Sequence, residues 1–423
     1  MRCVALLLAA VSAWAQLPVR QTDFADPPQG WTKWSPRPEI APRAWVEAGG
    51  ALALAGDSNP AVYGGWEYTA RGVMPGRWYR FSARYRGVGF TFENGQVLAR
   101  LDWAAASGKR AGQPDFVYQA RRDGAWTQVT AEAPAPPNAA AVKIQLWLAN
   151  APQATVWWDD ITLEETPAPK PRPVTIASVN FRPDKAAGPE DSVRQFLGVV
   201  QAKVPATADL ILLPEGITVV ATGMKYADVA EPVPGRTTSA LGEVARRRKA
   251  YIAAGIYERE GPAVYNTAVL LDRSGKLAGK YRKVYIPREE FEGGITPGID
   301  YPVFQTDFGR VGMMICYDVF YADPARALAL AGAEIILMPI WGGPLPLATA
   351  RALENHVFLA ASGYGHPTYI MNPLGEQIAS APERGTVAIA TVDLNHRYAD
   401  GWLGWMRARF FKELRLDIGA HPR

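Results

Sequence analysis

The sequence predicts a layered α/β domain over residues 174–395, preceded by an all-β antiparallel sandwich over residues 16–165, and three observations predict it. Prolines alternate with other residues through Thr166-Pro167-Ala168-Pro169-Lys170-Pro171-Arg172-Pro173, a composition that favours extended polyproline geometry and makes a stiff spacer over 166–173. Before that stretch, apolar residues recur with period two between turn residues; after it, short apolar runs alternate with segments of helical period. The 423 residues are more than one core needs, so two domains fit. Hydrophobic residues at 48% and charged residues at 20% can fill both cores and exclude a disordered chain.

The first element is a leader. Met1-Arg2-Cys3 is followed by the apolar stretch Val4-Ala5-Leu6-Leu7-Leu8-Ala9-Ala10-Val11, and Ala13-Trp14-Ala15 places small residues at a cleavage spacing. This is the pattern of a signal peptide over residues 1–15, too short to anchor in a bilayer, and it predicts a secreted or periplasmic protein. Cleavage after Ala15 removes Cys3 and leaves Cys316 as the sole cysteine, so no internal disulfide is expected. Gln16 stands where a lipid-anchored form needs a cysteine. No later apolar run has the length of a transmembrane helix, so no membrane span is expected.

In the sandwich, Trp78-Tyr79-Arg80-Phe81-Ser82-Ala83-Arg84-Tyr85 and Ala141-Val142-Lys143-Ile144-Gln145-Leu146-Trp147-Leu148 alternate as half-buried strands do. Turn signals stand at Pro75-Gly76, Glu93-Asn94-Gly95 and Asp123-Gly124, and a further strand is read in Val156-Trp157-Trp158-Asp159-Asp160-Ile161-Thr162-Leu163. Ten of the fourteen tryptophans lie in this region. The pattern resembles jelly-roll modules related to galactose-binding and carbohydrate-binding domains, and that resemblance implies a glycan ligand. The alternative is that alternating tryptophans simply pack the sheets.

After the spacer, Val174-Thr175-Ile176-Ala177-Ser178-Val179 is an apolar strand. Residues 189–204 place Val193, Phe196, Leu197 and Val200 on one helical face. Leu210-Ile211-Leu212-Leu213 and Tyr251-Ile252-Ala253-Ala254-Gly255-Ile256 are buried strands. The run Arg246-Arg247-Arg248-Lys249 between them reads as the solvated end of a helix, where cations suit the macrodipole. With a net charge of only +4 and no recognition module beside it, that run is no nucleic-acid patch. Val311-Gly312-Met313-Met314-Ile315 is a strand running into Cys316. Asp323-Pro324 reads as an N-cap with proline at the first helical position, opening a helix through Ala331, and Glu334-Ile335-Ile336-Leu337-Met338 is the next strand.

Three segments put a reactive group just past or within an extended run. They are Leu213-Pro214-Glu215-Gly216, then Gly279-Lys280-Tyr281-Arg282-Lys283-Val284-Tyr285-Ile286-Pro287, and Ile315-Cys316-Tyr317-Asp318. A carboxylate near a thiol can take its proton and return it to a leaving amine, while an ammonium stabilises the oxyanion at the attacked carbon. Alone, each has a plainer explanation: a small buried hydrophobe, a loop carboxylate, a solvated lysine.

Together and in this order, the three segments closely resemble the nitrilase, or carbon–nitrogen hydrolase, superfamily over nearly all of residues 174–395. The resemblance implies a four-layer α-β-β-α sandwich, with Glu215 as general base and acid, Lys283 as the oxyanion-stabilising cation and Cys316 as the nucleophile. It also implies that the backbone N–H of Tyr317 completes the oxyanion site. Tyr265-Asn266-Thr267, Thr296-Pro297-Gly298, Arg351-Ala352-Leu353-Glu354-Asn355 and Asn372-Pro373-Leu374-Gly375 match the family as scaffold. A second glutamate is implied between the lysine and the cysteine. In Arg288-Glu289-Glu290-Phe291-Glu292-Gly293-Gly294 the spacing leaves the choice open, with Glu292 preferred over Glu290. Tyr285 departs from the histidine many relatives carry there, which bears on contacts with substrate.

Cys316-Tyr317-Asp318 is more like the amidase branches than true nitrilases. The expected reaction is therefore hydrolysis of a small-molecule amide or N-carbamoyl compound, releasing ammonia or an amine. Two rivals stand beside it: a non-catalytic glycan-binding protein, and a nitrile or ester hydrolase using the same cysteine. No metal or cofactor is expected, because His356, His366, His396 and His421 are the only histidines and none is at metal-ligand spacing to another. Phosphate-binding glycine loops are likewise lacking. The tail, residues 396–423, carries Trp402-Leu403-Gly404-Trp405-Met406 and Phe410-Phe411. It can pack on its own domain or on a partner, and a homodimer is expected.

Overall fold

The strands that carry the reactive residues are short and apolar at every position because both of their faces are covered. In a computed structural model, which describes residues 15–365 and 367–418, Leu210–Leu212 and Ile335–Pro339 are buried throughout. Each lies between two parallel neighbours, and parallel strands covered on both faces read as continuous apolar runs rather than alternating ones. The chain divides into two compact units, residues 170–398 and residues 15–169 with 399–418.

The first of these holds two six-stranded sheets. One runs in the order Leu277–Arg282, Ala263–Leu271, Tyr251–Glu260, Leu210–Leu212, Pro173–Asn180 and Thr386–Asp393. The other runs Val303–Gln305, Arg310–Met313, Ile335–Pro339, Phe358–Ser362, Tyr369–Met371 and Gln377–Ser380. In each sheet a parallel triplet is flanked by antiparallel strands. The sheets meet where Pro173–Asn180 touches Phe358–Ser362 and Tyr251–Glu260 touches Ile335–Pro339. Helices Pro189–Lys203 and Arg236–Arg248 pack together at the first sheet, and Asp323–Leu330 and Leu345–Asn355 pack together at the second.

Local chemistry explains where these elements start and stop. Val193, Phe196 and Val200 are buried in one cluster with Leu241, Val244, Ile211 and Ile252, which is the helical face read from their spacing. The arginine run is the last turn of its helix, and Lys249 closes it in the left-handed region at φ 52°. The helix expected to be capped by Asp323 is instead entered from Ala322. The Asp323 carboxylate accepts a hydrogen bond from Tyr285 Oη at 3.1 Å rather than capping its own helix. The strand before the cysteine ends at Met313, two residues earlier than its apolar run.

The other unit holds two largely antiparallel sheets that share one core containing Trp66, Trp103, Trp158, Phe81, Leu101 and Ile144. Strands Trp78–Val88, Ala139–Ala149 and Thr155–Thr166 contain the three alternating runs. Glu93-Asn94-Gly95 is not a simple turn but part of a helical turn, Glu93–Gln96, because the Gln96 side chain accepts the amides of Thr91 and Phe92. The carboxy-terminal residues belong to this unit. Helix Met406–Glu413 lays Ala408 against Leu98, Phe116 and Trp147, while Phe411 stacks on Tyr118 at 5.1 Å. Among the described residues no helix is long and apolar enough to cross a membrane. Residues 1–14, which carry nearly all of the leader, lie outside the described residues.

Candidate active site

Glu215 leaves the carboxy-terminal end of one parallel triplet and Cys316 the corresponding end of the other. The backbone at Glu215 runs so close to the neighbouring strand that a Cβ on Gly255 would stand 2.6 Å from Glu215 Cα, so only glycine fits opposite the carboxylate. Ladder bonds from Gly255 N to Pro214 O and from Ile217 N to Gly255 O, both 3.0 Å, hold this approach. Lys283 follows strand Leu277–Arg282 and is tied at its backbone by its amide to Asn266 O at 2.9 Å and by Gly298 N to its own carbonyl at 2.8 Å.

The side chains then converge. Lys283 Nζ donates to Glu215 Oε1 at 3.0 Å and to Glu290 Oε2 at 2.8 Å. The lysine is 1% exposed, Glu215 3% and Glu290 5%, which makes this a buried triad rather than a screened surface pair. Asn266 Nδ2 bridges the two acids, donating to Glu215 Oε1 at 2.7 Å and to Glu290 Oε1 at 2.5 Å. Tyr257 Oη adds a bond to Glu290 Oε1 at 3.1 Å. Every oxygen of the pair is thereby committed except Glu215 Oε2, which is buried with no hydrogen-bond partner.

Cys316 sits at φ 44°, in the left-handed region, where a non-glycine side chain is strained and persists only if its surroundings hold it. It opens the 3₁₀ turn Cys316–Phe320. Asp318 supplies that hold: its carboxylate accepts from Ile315 N at 2.8 Å, Tyr281 Oη at 2.7 Å and Tyr285 N at 3.0 Å, tying the cysteine turn to the lysine-bearing segment. The thiol lies 3.5 Å from Gly342 O.

The electrostatics follow from burial and charge. Burial pushes the Cys316 thiol up to about 12, and the Glu215 carboxylate adds to this against the opposing pull of Lys283; at neutral pH the resting group is the thiol. For Lys283, burial disfavours the charge, but the charges of Glu215 and Glu290, and that of Cys316 once ionised, outweigh it and hold the ammonium. Burial raises Glu290, opposed by Lys283. Burial also raises Asp318 to about 6, against the hydrogen bonds it accepts.

The family model described as carbon-nitrogen hydrolase matches residues 175–400, more than half of the chain. The chain belongs to the carbon-nitrogen hydrolase family. As a member it is an enzyme acting on carbon–nitrogen bonds. This hydrolase is 29% identical over 231 residues to the omega-amidase NIT2 of Bos taurus, covering 48% of this chain and 83% of the relative. It is 31% identical over 233 residues to a nitrilase of Pyrococcus abyssi, covering 52% and 85%. Among solved structures, a variant of the amidase from Nesterenkonia sp. AN1 in complex with acrylamide is 21% identical and covers 54% of this chain and 93% of that one, with a TM-score of 0.46.

Within the hydrolase, Glu215, Lys283 and Cys316 stand where sequence reasoning placed them, at strand ends, and Glu215 and Lys283 are in contact. The preference for Glu292 is corrected. Glu292 is exposed at the end of helix Arg288–Glu292, whereas Glu290, two residues earlier, points inward to the lysine. On one helical turn, residues two apart face different ways, so only one of the two can reach Lys283. Tyr317 follows the cysteine in the first turn of the 3₁₀ helix, where backbone amides have no intrahelical acceptor. His356 closes helix Leu345–Asn355, and the His396 ring packs on Tyr398 at 4.6 Å; His366 and His421 fall outside the described residues.

Four positioning groups were not assigned from sequence: Asn266, Tyr257, Asp318 and Tyr364, whose hydroxyl donates to the Glu215 backbone carbonyl at 2.5 Å. Asn266 carried a visible signal as a polar residue inside the buried run Ala263–Leu271, because a buried amide demands partners. Tyr364 carried none, since its partner is 149 residues away in the chain.

Proposed function

We propose that the chain hydrolyses a non-peptide C–N bond of an amide or N-carbamoyl compound through an acyl-enzyme on Cys316. The observation that carries this is the division of labour within one carboxylate. Glu215 Oε1 is held by Lys283 and Asn266, while Oε2 is buried and unpartnered, and the charge of this carboxylate reaches the Cys316 thiol, which is too basic to ionise unaided. Such an oxygen is a base set to receive one proton.

In this reading Glu215 Oε2 takes the thiol proton as Sγ attacks the carbonyl carbon. The electron pair displaced onto oxygen is met by the Lys283 ammonium and the Tyr317 N–H. Glu215 then returns the proton to the nitrogen, the C–N bond breaks, and ammonia or an amine leaves a thioester. Water, deprotonated by Glu215, attacks that carbon; the C–S bond breaks and the proton returns to sulfur. Glu290, Asn266 and Tyr257 position the lysine and the base, and Asp318 holds the strained turn. An ester or a nitrile is open to the same nucleophile: an ester releases an alcohol instead of ammonia or an amine, and a nitrile, which also yields ammonia, is separated by which members of a substrate panel turn over. The contacts of helices and sheets support a helix–sheet–sheet–helix layering around the site. The leader-like residues 1–15 support export to a secreted or periplasmic location. A glycan-binding role for the other unit rests on its sequence resemblance alone, and Trp34, stacked on the buried Trp147 at 4.4 Å, fits the packing alternative. Tail residues Trp405 and Phe411 pack against Tyr118, which favours packing on the tail's own unit over a dimer.

The test is ammonia or amine release from a panel of aliphatic amides, N-carbamoyl compounds and nitriles, with intact mass followed for an adduct. Release by wild type, loss in Cys316→Ala and a transient acyl mass are expected. Full turnover in Cys316→Ala, or a folded wild type that neither turns over nor acylates across the panel, overturns the proposal.

A further inference from the structure

In the unit that holds the sandwich, a cavity of about 280 Å³ lies between the sheets and the tail. Tyr63, Phe92, Leu98, Phe116 and Ala149 give it a largely apolar wall, and Lys412, from helix Met406–Glu413, completes that wall with an amine. Ligand pockets run to roughly 300–1,000 Å³, so this one suits a single small molecule.

The amine is set apart from the other charges around it. Lys412 is 9% exposed. Its Nζ donates to Val97 O at 3.0 Å and to Asn94 Oδ1 at 3.3 Å, and it has no third partner among the described residues. The acids that could neutralise it are taken by arginines: Glu93 by Arg122 at 3.6 Å, Glu413 by Arg409 at 2.7 Å and Asp417 by Arg415 at 2.6 Å. Gln96, also in the wall, is fully engaged by Thr91, Phe92 and Asn150. Two neutral acceptors match a neutral amine, which has two N–H bonds and a lone pair, whereas an ammonium keeps a third proton unpaired. Burial favours the neutral form in the same direction, lowering the group to about 8 against the pull of Glu93. A desolvated lysine amine of this kind is a nucleophile.

We infer that Lys412 is a covalent attachment site for a small apolar aldehyde, held in this cavity against the amine. The nitrogen lone pair bonds to the carbonyl carbon as the π pair of C=O moves to oxygen. A proton then passes from nitrogen to that oxygen, giving a carbinolamine. Nitrogen expels the hydroxyl group, which leaves as water with the remaining N–H proton, and a C=N bond is left. The site is independent of the hydrolase reading.

The test treats the full chain at pH 8 with benzaldehyde and sodium cyanoborohydride, which reduces the imine to a stable secondary amine, and reads labelling lysine by lysine from peptide masses. At this pH the neutral fraction of Lys412 exceeds that of an ordinary lysine about 100-fold, and with access reduced by burial Lys412 is expected to label about tenfold faster than the exposed Lys109 and Lys203. Excess benzyl alcohol, similar in shape but without a carbonyl, is expected to slow Lys412 and to leave the two exposed lysines unchanged. A lysine that only anchors the tail is shielded and labels more slowly than they do. Labelling of Lys412 at or below the rate of Lys109 and Lys203 overturns the inference, as does fast labelling that benzyl alcohol does not reduce. Both readouts are made on wild type, so neither depends on the folding of a variant.

Discussion

Lys283 Nζ lies 2.8 Å from Glu290 Oε2 with both side chains out of solvent. Glu290→Ala leaves a buried ammonium short of one counter-charge, a loss of about 3–5 kcal/mol in stability. Glu290→Gln preserves shape but releases the lysine from one anchor, and kcat is expected to fall about 100-fold. Glu292→Gln, at an exposed position, is expected to stay within about 0.5 kcal/mol of wild type in stability and to retain turnover. Urea unfolding and steady-state kinetics on the three variants check this, and a Glu292→Gln defect equal to that of Glu290→Gln would reverse the assignment.

Glu215 raises the thiol it is proposed to deprotonate, because its charge opposes a thiolate. Glu215→Gln therefore has two opposite expected effects. Hydrolysis is lost with the base. Iodoacetamide alkylation of Cys316 gains, because with one opposing charge gone the thiolate forms at a lower pH. A pH–rate profile of alkylation is expected to show its midpoint displaced downward in the variant; an upward displacement contradicts the sign.

Asp318 ties down the cysteine turn only as a carboxylate able to accept several bonds. Activity is expected to fall as pH drops through about 6, where the buried group takes up a proton, and this limb should be altered in Asp318→Asn. For stability the sign is opposite. The folded group binds its proton more tightly than the unfolded chain does, so its contribution is fully present below about pH 4 and is lost as pH rises through about 6. Unfolding of wild type and Asp318→Asn at pH 4 and pH 7 separates the two: the wild type should lose stability relative to the variant at the higher pH.

In the other unit, burial lowers the Lys412 amine to about 8, while its Nζ bonds Val97 O at 3.0 Å. An ordinary lysine titrates near 10.4. Between these values the unfolded chain binds more protons, so stability rises with pH across that window. Lys412→Met removes the cost of burying the charge, roughly 1–3 kcal/mol, against the loss of its hydrogen bonds. Denaturant midpoints at pH 7 and pH 10 should show the variant's relative stability highest at pH 7; a pH-independent difference counts against the buried cation.

The alternation of apolar runs and helical faces, the helical face of Val193, Phe196 and Val200, and the strand-end positions of Glu215, Lys283 and Cys316 were all determined by the sequence alone. Each depends on periodicity or on residue type over a short span, which the linear chain states directly. Asp323 shows the limit of that signal: as a cap it had the right type in the right place, but a tyrosine 38 residues away took its carboxylate. Only the tertiary structure decided between Glu290 and Glu292, because that choice depends on which face of a one-turn helix meets a lysine held by another strand. The same holds for Asn266 bridging two acids and for Tyr364 reaching the Glu215 carbonyl. Short-range pattern encodes what a segment becomes; the partner of a buried charge is set by packing between segments distant in sequence, where burial turns each unmet hydrogen bond into a cost of about 1–3 kcal/mol.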